Sequence, residues 1–232
     1  MTHMIYVVPS LKAKEKLQSE GKAWAESQGF TYVLRHQRTI QDLMDEYGED
    51  FLVYSSRGPQ IDRPEGSHFF SLNMAELRIQ NLRKGQCDHL LEALMGMKER
   101  GAESLSCEGE GDRSRWKGSS EPPITVLDCT CGFGADAAVA SFGLPAGSRI
   151  DALEVSPLLE AVTSWGFSHF VHKKDDVTAA LRRISLRRGD YRDYLLSDEG
   201  PVYDVLYFDP MFQRPVEASC QFQPVRAIME HG

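Results

Sequence analysis

Short apolar runs alternate with helical spacings along the first half of the chain. Met4–Val8 is an apolar, β-rich run, and Leu11, Leu17 and Trp24 recur at helical spacing across Leu11–Gln28 until Gly29 ends the pattern. Phe30–Leu34 predicts a second strand, Ile40–Tyr47 a second helix and Phe51–Ser55 a third strand. Strand, helix, strand, helix, strand implies a small parallel sheet, and His68–Leu72 is a candidate fourth strand. Asn73 is placed as a helix N-cap, with Glu76 completing a capping box ahead of Leu77, Ile79 and Leu82. A further helix is predicted over His89–Lys98.

The pattern breaks at Glu99–Pro123, which is rich in Gly, Ser, Glu and Arg and has almost no apolar periodicity. It reads as a flexible insertion or linker, with Trp116 as its candidate anchor. Beyond it the alternation resumes. Ile124–Cys129 is a buried-type strand, Asp136–Phe142 opens a helix, and Arg149–Glu154 is the next strand. Pro157–Phe170 is predicted helical behind Ser156 as N-cap, Val177–Arg183 helical, Ile184–Arg188 extended and Val202–Phe208 a strong final strand. The expected organisation is α/β throughout: an N-terminal subdomain with connecting helices over 1–98, the linker over 99–123, and a Rossmann-like domain over 124–232.

Composition adds boundaries. With 41% hydrophobic residues in 232, the chain has enough apolar material for a real core. A formal net charge of −8 argues against coating nucleic acid by bulk charge, and leaves room for a local basic patch. No apolar run approaches the roughly 20 residues that span a bilayer, and Ile5–Val8 is too short for a signal-peptide core. No membrane partner is therefore expected. Cys87, Cys107, Cys129, Cys131 and Cys220 are odd in number and unpaired in spacing, so the expected setting is reducing and cytoplasmic.

The strands of the second half end on acids: Asp128, Glu154, Asp190 just past the third, and Asp209. In an open parallel sheet ligands bind outside the carboxyl ends of the strands, so these four define one rim. Asp128-Cys129-Thr130-Cys131-Gly132-Phe133-Gly134-Ala135-Asp136 follows the first strand. Gly132 and Gly134 lack the Cβ atoms that would block a ligand, and they permit positive φ. Ala137 stands at the third glycine position of a dinucleotide fingerprint. Asp128 and Asp136 are poor neighbours for a pyrophosphate, but they suit the sulfonium and amino groups of S-adenosylmethionine. The plainer reading of the turn is a strand-to-helix connection capped by Asp136. Glu154, about 20 residues beyond the glycines, is placed to accept from a ribose diol. In Arg188-Gly189-Asp190-Tyr191, Asp190 either accepts from an adenine amino group or merely turns the chain.

Val205–Phe208 then delivers Asp209-Pro210-Met211-Phe212 to the same rim. Proline fixes φ and leaves a carbonyl free of local donors. A planar exocyclic amine can donate to Asp209 or that carbonyl while its base stacks on Phe212. Such positioning aims a nitrogen lone pair at a methyl donor that carries its own reactivity.

Together these residues resemble class I S-adenosylmethionine-dependent methyltransferases. They are most similar to the bacterial family of small-subunit (16S) ribosomal RNA guanine-N2 methyltransferases and its Gram-positive relatives. The resemblance rests on Asp128-x-Thr130-x-Gly132-x-Gly134-x-Asp136, Glu154-x-Ser156-Pro157 and Asp209-Pro210-Met211-Phe212, together with Asn73-Met74-Ala75-Glu76-Leu77-Arg78, Gly85 and Asp88. It implies that Asp128, Thr130, Gly132, Phe133, Gly134 and Asp136 line the methionine end of the cofactor. Glu154 would take the ribose and Asp190 the adenine, with Ser156 and Tyr191 beside them as further cofactor-binding residues, and Asp209, Pro210, Met211 and Phe212 would hold the target base. Cys129 and Cys131 depart from the small apolar residues usual there, and no metal is expected from that pair alone.

Such folds continue the sheet beyond this point, and Gln213–Gly232 carries little strand signal. Val202–Phe208 would then be an exposed apolar edge. The expectation is a missing C-terminal segment, or an edge covered by another copy in a homodimer. For an RNA substrate, Lys173–Arg192 supplies seven basic residues against three acids, either a phosphate-contacting strip or a solvated face. A non-catalytic S-adenosylmethionine- or nucleotide-binding module is the competing class. An NAD-type oxidoreductase is disfavoured by the acids of the turn and by the absence of an evident hydride-relay residue.

Overall fold

Runs of consecutive buried positions at 7–9, 51–54 and 58–61 draw the strands of the first seventy residues into one sheet. The computed structural model describes residues 4–96, 122–197 and 200–209. These sort into two compact units, one of residues 4–70 with 156–166 and the other drawn from 71–155 and 167–209. In the first unit, β1 (Tyr6–Pro9), α1 (Glu15–Ser27), β2 (Thr31–Tyr32), α2 (Ile40–Tyr47) and β3 (Phe51–Ser55) follow the expected order. Both β2 and β3 pair parallel with β1. Helix α1 starts later than the spacing suggests, because Leu11 is exposed. Val8, Leu43, Phe51 and Val53 form a core cluster, with Ile40 and Met44 of α2 packed on it. Thr39 and Asp42 build a reciprocal capping box at the start of α2.

Two further strands run antiparallel, β4 (Gly58–Arg63) on β3 and β5 (Gly66–Phe69) on β4, giving the order β2-β1-β3-β4-β5. Sequence reading places β5 near its position but misses β4, whose Gly-Pro-Gln-Ile-Asp-Arg string looks like loop. Its polar residues are satisfied within the sheet. Gln60 accepts from the Ser55 hydroxyl at 2.9 Å and donates to Asp62 at 2.8 Å, and Arg63 donates to Glu49 at 2.7 Å while lying over the Phe51 ring. Hydrogen-bonded partners offset the cost of burying such groups.

The second unit opens with α3 (Asn73–Arg83) and α4 (His89–Gly96). Asn73 is not the cap of α3. It is the first residue of α3, with a positive φ of +26, Leu72 stands at the cap without a side-chain bond, and Glu76 instead pairs with His172 at 2.9 Å. Then come β6 (Thr125–Asp128), α5 (Ala135–Gly143), β7 (Arg149–Glu154), α6 (Pro157–His169), α7 (Asp175–Leu181), β8 (Ile184–Arg188), α8 (Tyr191–Leu195) and β9 (Val205–Tyr207). The residues of α6 up to Gly166 fall in the first unit. All pairings in this sheet are parallel and the order is β8-β7-β6-β9. The chain steps outward from β6 to β8 and returns on the other side of β6 as β9. This reversal makes the carboxyl ends of β6 and β9 the switch point where such sheets bind ligands.

Residues 99–121 of the expected linker, including Trp116, and the segment Gln213–Gly232 lie outside the described residues. Among the described residues β9 is an edge strand, and no helix is long and apolar enough to cross a membrane.

Candidate cofactor and base site

The loop after β6 is stitched to both neighbouring strands. Past Asp128, the Cys129 amide donates to the Tyr207 carbonyl of β9 at 2.8 Å, and the Cys131 amide donates to the Leu153 carbonyl of β7 at 2.9 Å. Gly132 and Gly134 then turn with φ +53 and +74. Only glycine adopts that region at little cost, which is why the turn needs both. The Gly132 amide donates to the Glu154 carboxylate at 2.8 Å, so the glycine turn and the acid ending β7 form one assembly.

Asp128 and Asp209 meet this turn through Thr130. The Thr130 amide donates to Asp128 Oδ1 at 3.1 Å, and the Thr130 hydroxyl accepts from the Asp209 amide at 2.8 Å. The acid that follows β9 is thereby fixed against the loop that follows β6. Asp136, in the first turn of α5, accepts from the Tyr207 hydroxyl at 2.8 Å and from Arg78 of α3. The same guanidinium forks onto Asp88 at 2.7 and 2.8 Å, and Asp88 in turn accepts from the Leu90 and Leu91 amides at the start of α4.

These contacts make the rim strongly negative. Asp128 is 3% exposed. Burial pushes its carboxyl up to about 7 against the Thr130 amide, and repulsion from Asp136, Glu154 and Asp209 adds to the rise. Asp209 is raised by partial desolvation and then by Asp136. Burial and the bond to Asp136 both raise Tyr207, keeping it a neutral donor. Burial opposes ionisation of Asp88, but Arg78 holds it below the usual carboxylate range.

Other residues singled out from the sequence do different local work. Asp190 caps α8, accepting from the Arg192 amide at 2.8 Å, and pairs with the Arg192 guanidinium at 3.0 Å. Tyr191 meets Phe208 edge-on at 5.0 Å and packs on the cluster of Leu127, Cys129 and Leu153. Ser156 is buried at the head of α6, its hydroxyl 3.5 Å from the Leu159 amide, and it falls in the first compact unit. Phe133 is half-buried. Pro210, Met211 and Phe212 lie outside the described residues. Cys129 and Cys131 are buried free thiols, and burial beside Asp128 pushes Cys129 up to about 12, so it stays protonated. Among the described residues no group of three His, Cys, Asp or Glu is placed to hold a metal.

Arg78, Asp88 and Tyr207 escaped sequence reading as parts of the site. Tyr207 had a legible signal, since parallel register sets it beside Asp128 on one face of the sheet. Arg78 and Asp88 stood out only as part of the motif that carries the resemblance, and nothing local ties Arg78 to Asp136, 58 residues away.

The donor set fits an adenosyl cation. A buried carboxyl crowded by three others gains from a positive ligand, and the two left-handed glycines keep the turn free of side chains. The sequence comparison agrees: residues 114–221 match the family described as "Putative SAM-dependent methyltransferase", a match that takes in the glycine turn and the acids around it and implies S-adenosylmethionine as the cofactor. Among individual proteins, it is 27% identical over 225 residues to the uncharacterized protein YpiP of Bacillus subtilis, covering 97% of this chain and 78% of that one. It is 34% identical over 94 residues to ribosomal RNA small subunit methyltransferase J of Thioalkalivibrio sulfidiphilus, and 35% identical over 98 residues to that of Saccharophagus degradans. The aligned stretch covers 40% and 38% of this chain and 35% of each of those relatives. The crystal structure of the SAM-dependent methyltransferase NGO1261 from Neisseria gonorrhoeae superposes with a TM-score of 0.55 at 14% identity, over 89% of this chain and 70% of that one, a likeness of fold.

Proposed function

We propose that this chain methylates an exocyclic amine of a nucleobase in RNA, with guanine N2 of 16S ribosomal RNA as the target. The observation that carries the reading is Asp209, tied through its amide to Thr130 at the switch point of the sheet and sharing the rim with buried Asp128. The name of the methyltransferase J relatives supports the ribosomal target.

The bound cofactor supplies an electrophilic methyl group on a sulfonium. The chain's residues bind, orient and receive a proton. Asp128, once ionised, and Asp136 face the cationic methionine end beside the turn of Thr130, Gly132, Phe133 and Gly134. Glu154 would accept from the ribose diol, and Asp190 and Tyr191 would serve the adenine. Asp209 accepts from the target amine, Pro210 offers its carbonyl and Phe212 a stacking face. Held there, the amine nitrogen would present its lone pair to the methyl group that the cofactor supplies. The released proton passes to Asp209, whose raised pKa suits an acceptor, or to water. An unpaired or extruded base is required to reach the rim.

The test is methyl transfer from labelled S-adenosylmethionine to small ribosomal subunits lacking N2 methylation. Asp209→Ala is expected to lower transfer by about 100-fold or more while changing S-adenosylhomocysteine affinity by less than about threefold. Unchanged transfer refutes the role of Asp209. Cofactor binding without transfer to any RNA favours the non-catalytic module instead.

A further inference from the structure

Away from the rim, the outer strand of the second sheet carries a basic groove. Parallel register sets Asp151 of β7 beside Ser185 of β8, so Arg149, Asp151, Ser185 and Arg187 share one face of the sheet. With Arg183 just ahead of β8, and Pro201, they line a groove of about 400 Å³. Its single carboxylate is answered within the protein, since Asp151 accepts from Arg149 and from the Tyr203 hydroxyl, each at 2.5 Å. With Arg149 paired to Asp151, the Arg183 and Arg187 guanidiniums leave the groove net positive in a chain whose net charge is −8.

We infer that this groove is a docking site for the phosphate backbone of the RNA substrate, a proposal that rests on the RNA reading above. Charge complementarity selects the occupant. Guanidinium forks match phosphate oxygens two at a time. Arg183, Ser185 and Arg187 recur at every second residue, about 6.6 Å apart along an extended chain. The Arg183 guanidinium is braced by the Ser141 carbonyl at 2.5 Å. Arg187 and the Ser185 hydroxyl make no hydrogen bond or ion pair among the described residues, which leaves their donors for a ligand. Among the described residues no aromatic ring lines the groove, so it holds phosphate without reading bases and positions the RNA rather than specifying it.

Location sharpens the inference. The groove includes Arg149 at the amino end of β7 and Arg183 ahead of β8, whereas the acids of the rim lie at the carboxyl ends. A five-residue strand spans about 17 Å. The groove thus engages backbone several nucleotides from the methylated base.

The test is binding of transcribed 16S ribosomal RNA across a salt series, with wild type, Arg187→Ala and Arg187→Glu. Calorimetry with S-adenosylhomocysteine serves as the check on folding. Arg187→Glu is expected to weaken RNA binding about tenfold at low salt, and to make the log–log salt slope shallower by roughly one, with cofactor-product affinity unchanged. Arg187→Ala is expected to fall between. Wild-type RNA binding with both variants equal to it in affinity and slope overturns the groove and leaves the RNA reading standing. Absence of wild-type RNA binding overturns the RNA reading, and the groove with it.

Discussion

Asp128 is held at a measurable cost to the cofactor-free protein, and Asp128→Asn exposes that cost. The ordinary carboxyl value is 3.8, and burial with crowding raises it to about 7 in the folded state. A carboxyl whose folded value is raised keeps its proton in the folded chain while the unfolded chain gives it up. Its effect on stability is nil below about pH 4, grows unfavourable as pH rises to 7, and is fully expressed above that. A shift of about 3 units corresponds to about 4 kcal/mol. Compactness of the denatured chain and relaxation of the site lower the expected figure to about 2–4 kcal/mol. Asparagine does not ionise, and its side-chain carbonyl can still accept from the Thr130 amide. Without cofactor, the variant is therefore expected to unfold about 5–15 °C above wild type at pH 8.5 and within a few degrees of it at pH 4.5. Other carboxyls titrate in both proteins and cancel in the comparison. The same reasoning gives a calorimetric signature: S-adenosylmethionine binding at pH 6 displaces a proton from wild type, and none from the variant, whose affinity is also weakened. A stability difference that is the same at both pH values, or a wild type more stable at pH 8.5, refutes the reasoning.

Two further perturbations probe the frame around the site. Arg78→Met strips the shared cation from Asp88 and Asp136, and is expected to cost about 2–4 kcal/mol in urea unfolding. Arg78→Lys should recover only part of that, because an ammonium cannot fork onto both acids. Gly166→Ala in α6 would place a Cβ 1.9 Å from Cγ of buried Phe70. The displaced ring is expected to cost about 1–3 kcal/mol, more than the roughly 1 kcal/mol that alanine gains in a helix, and a thermal melt at or above wild type would contradict that packing.

What could be read from the sequence was whatever a local period or a strand end announces. β3, β7, β8 and α2 appear with the boundaries their apolar spacing predicts, because each buries its own residues within its own unit. β4 was illegible because Gln60, Asp62 and Arg63 owe their places to partners on neighbouring strands and loops rather than to hydrophobicity. Asn73 failed as a cap for a similar reason: its neighbour Glu76 is drawn to His172, which no local pattern reveals. Asp128, Glu154 and Asp209 were legible, since each stands where an apolar strand stops, whereas Asp190, expected beside them, caps α8 and pairs with Arg192. Their energetics were not.

Four acids crowd this turn, Asp136 among them, yet the structure gives them different partners. Asp136 is answered by Arg78 and Tyr207. Glu154 receives the Gly132 amide. Asp209 is exposed and touches the turn only through its backbone amide. Asp128 is buried with one amide donor and three carboxylate neighbours, so its ionisation is the one that an arriving cation changes most. In the proposed site an arriving cation is met chiefly by Asp128, because Arg78 and the Tyr207 hydroxyl already occupy Asp136. A variant that unpairs Asp136 should consequently raise Asp128 further, moving the proton release on cofactor binding to higher pH.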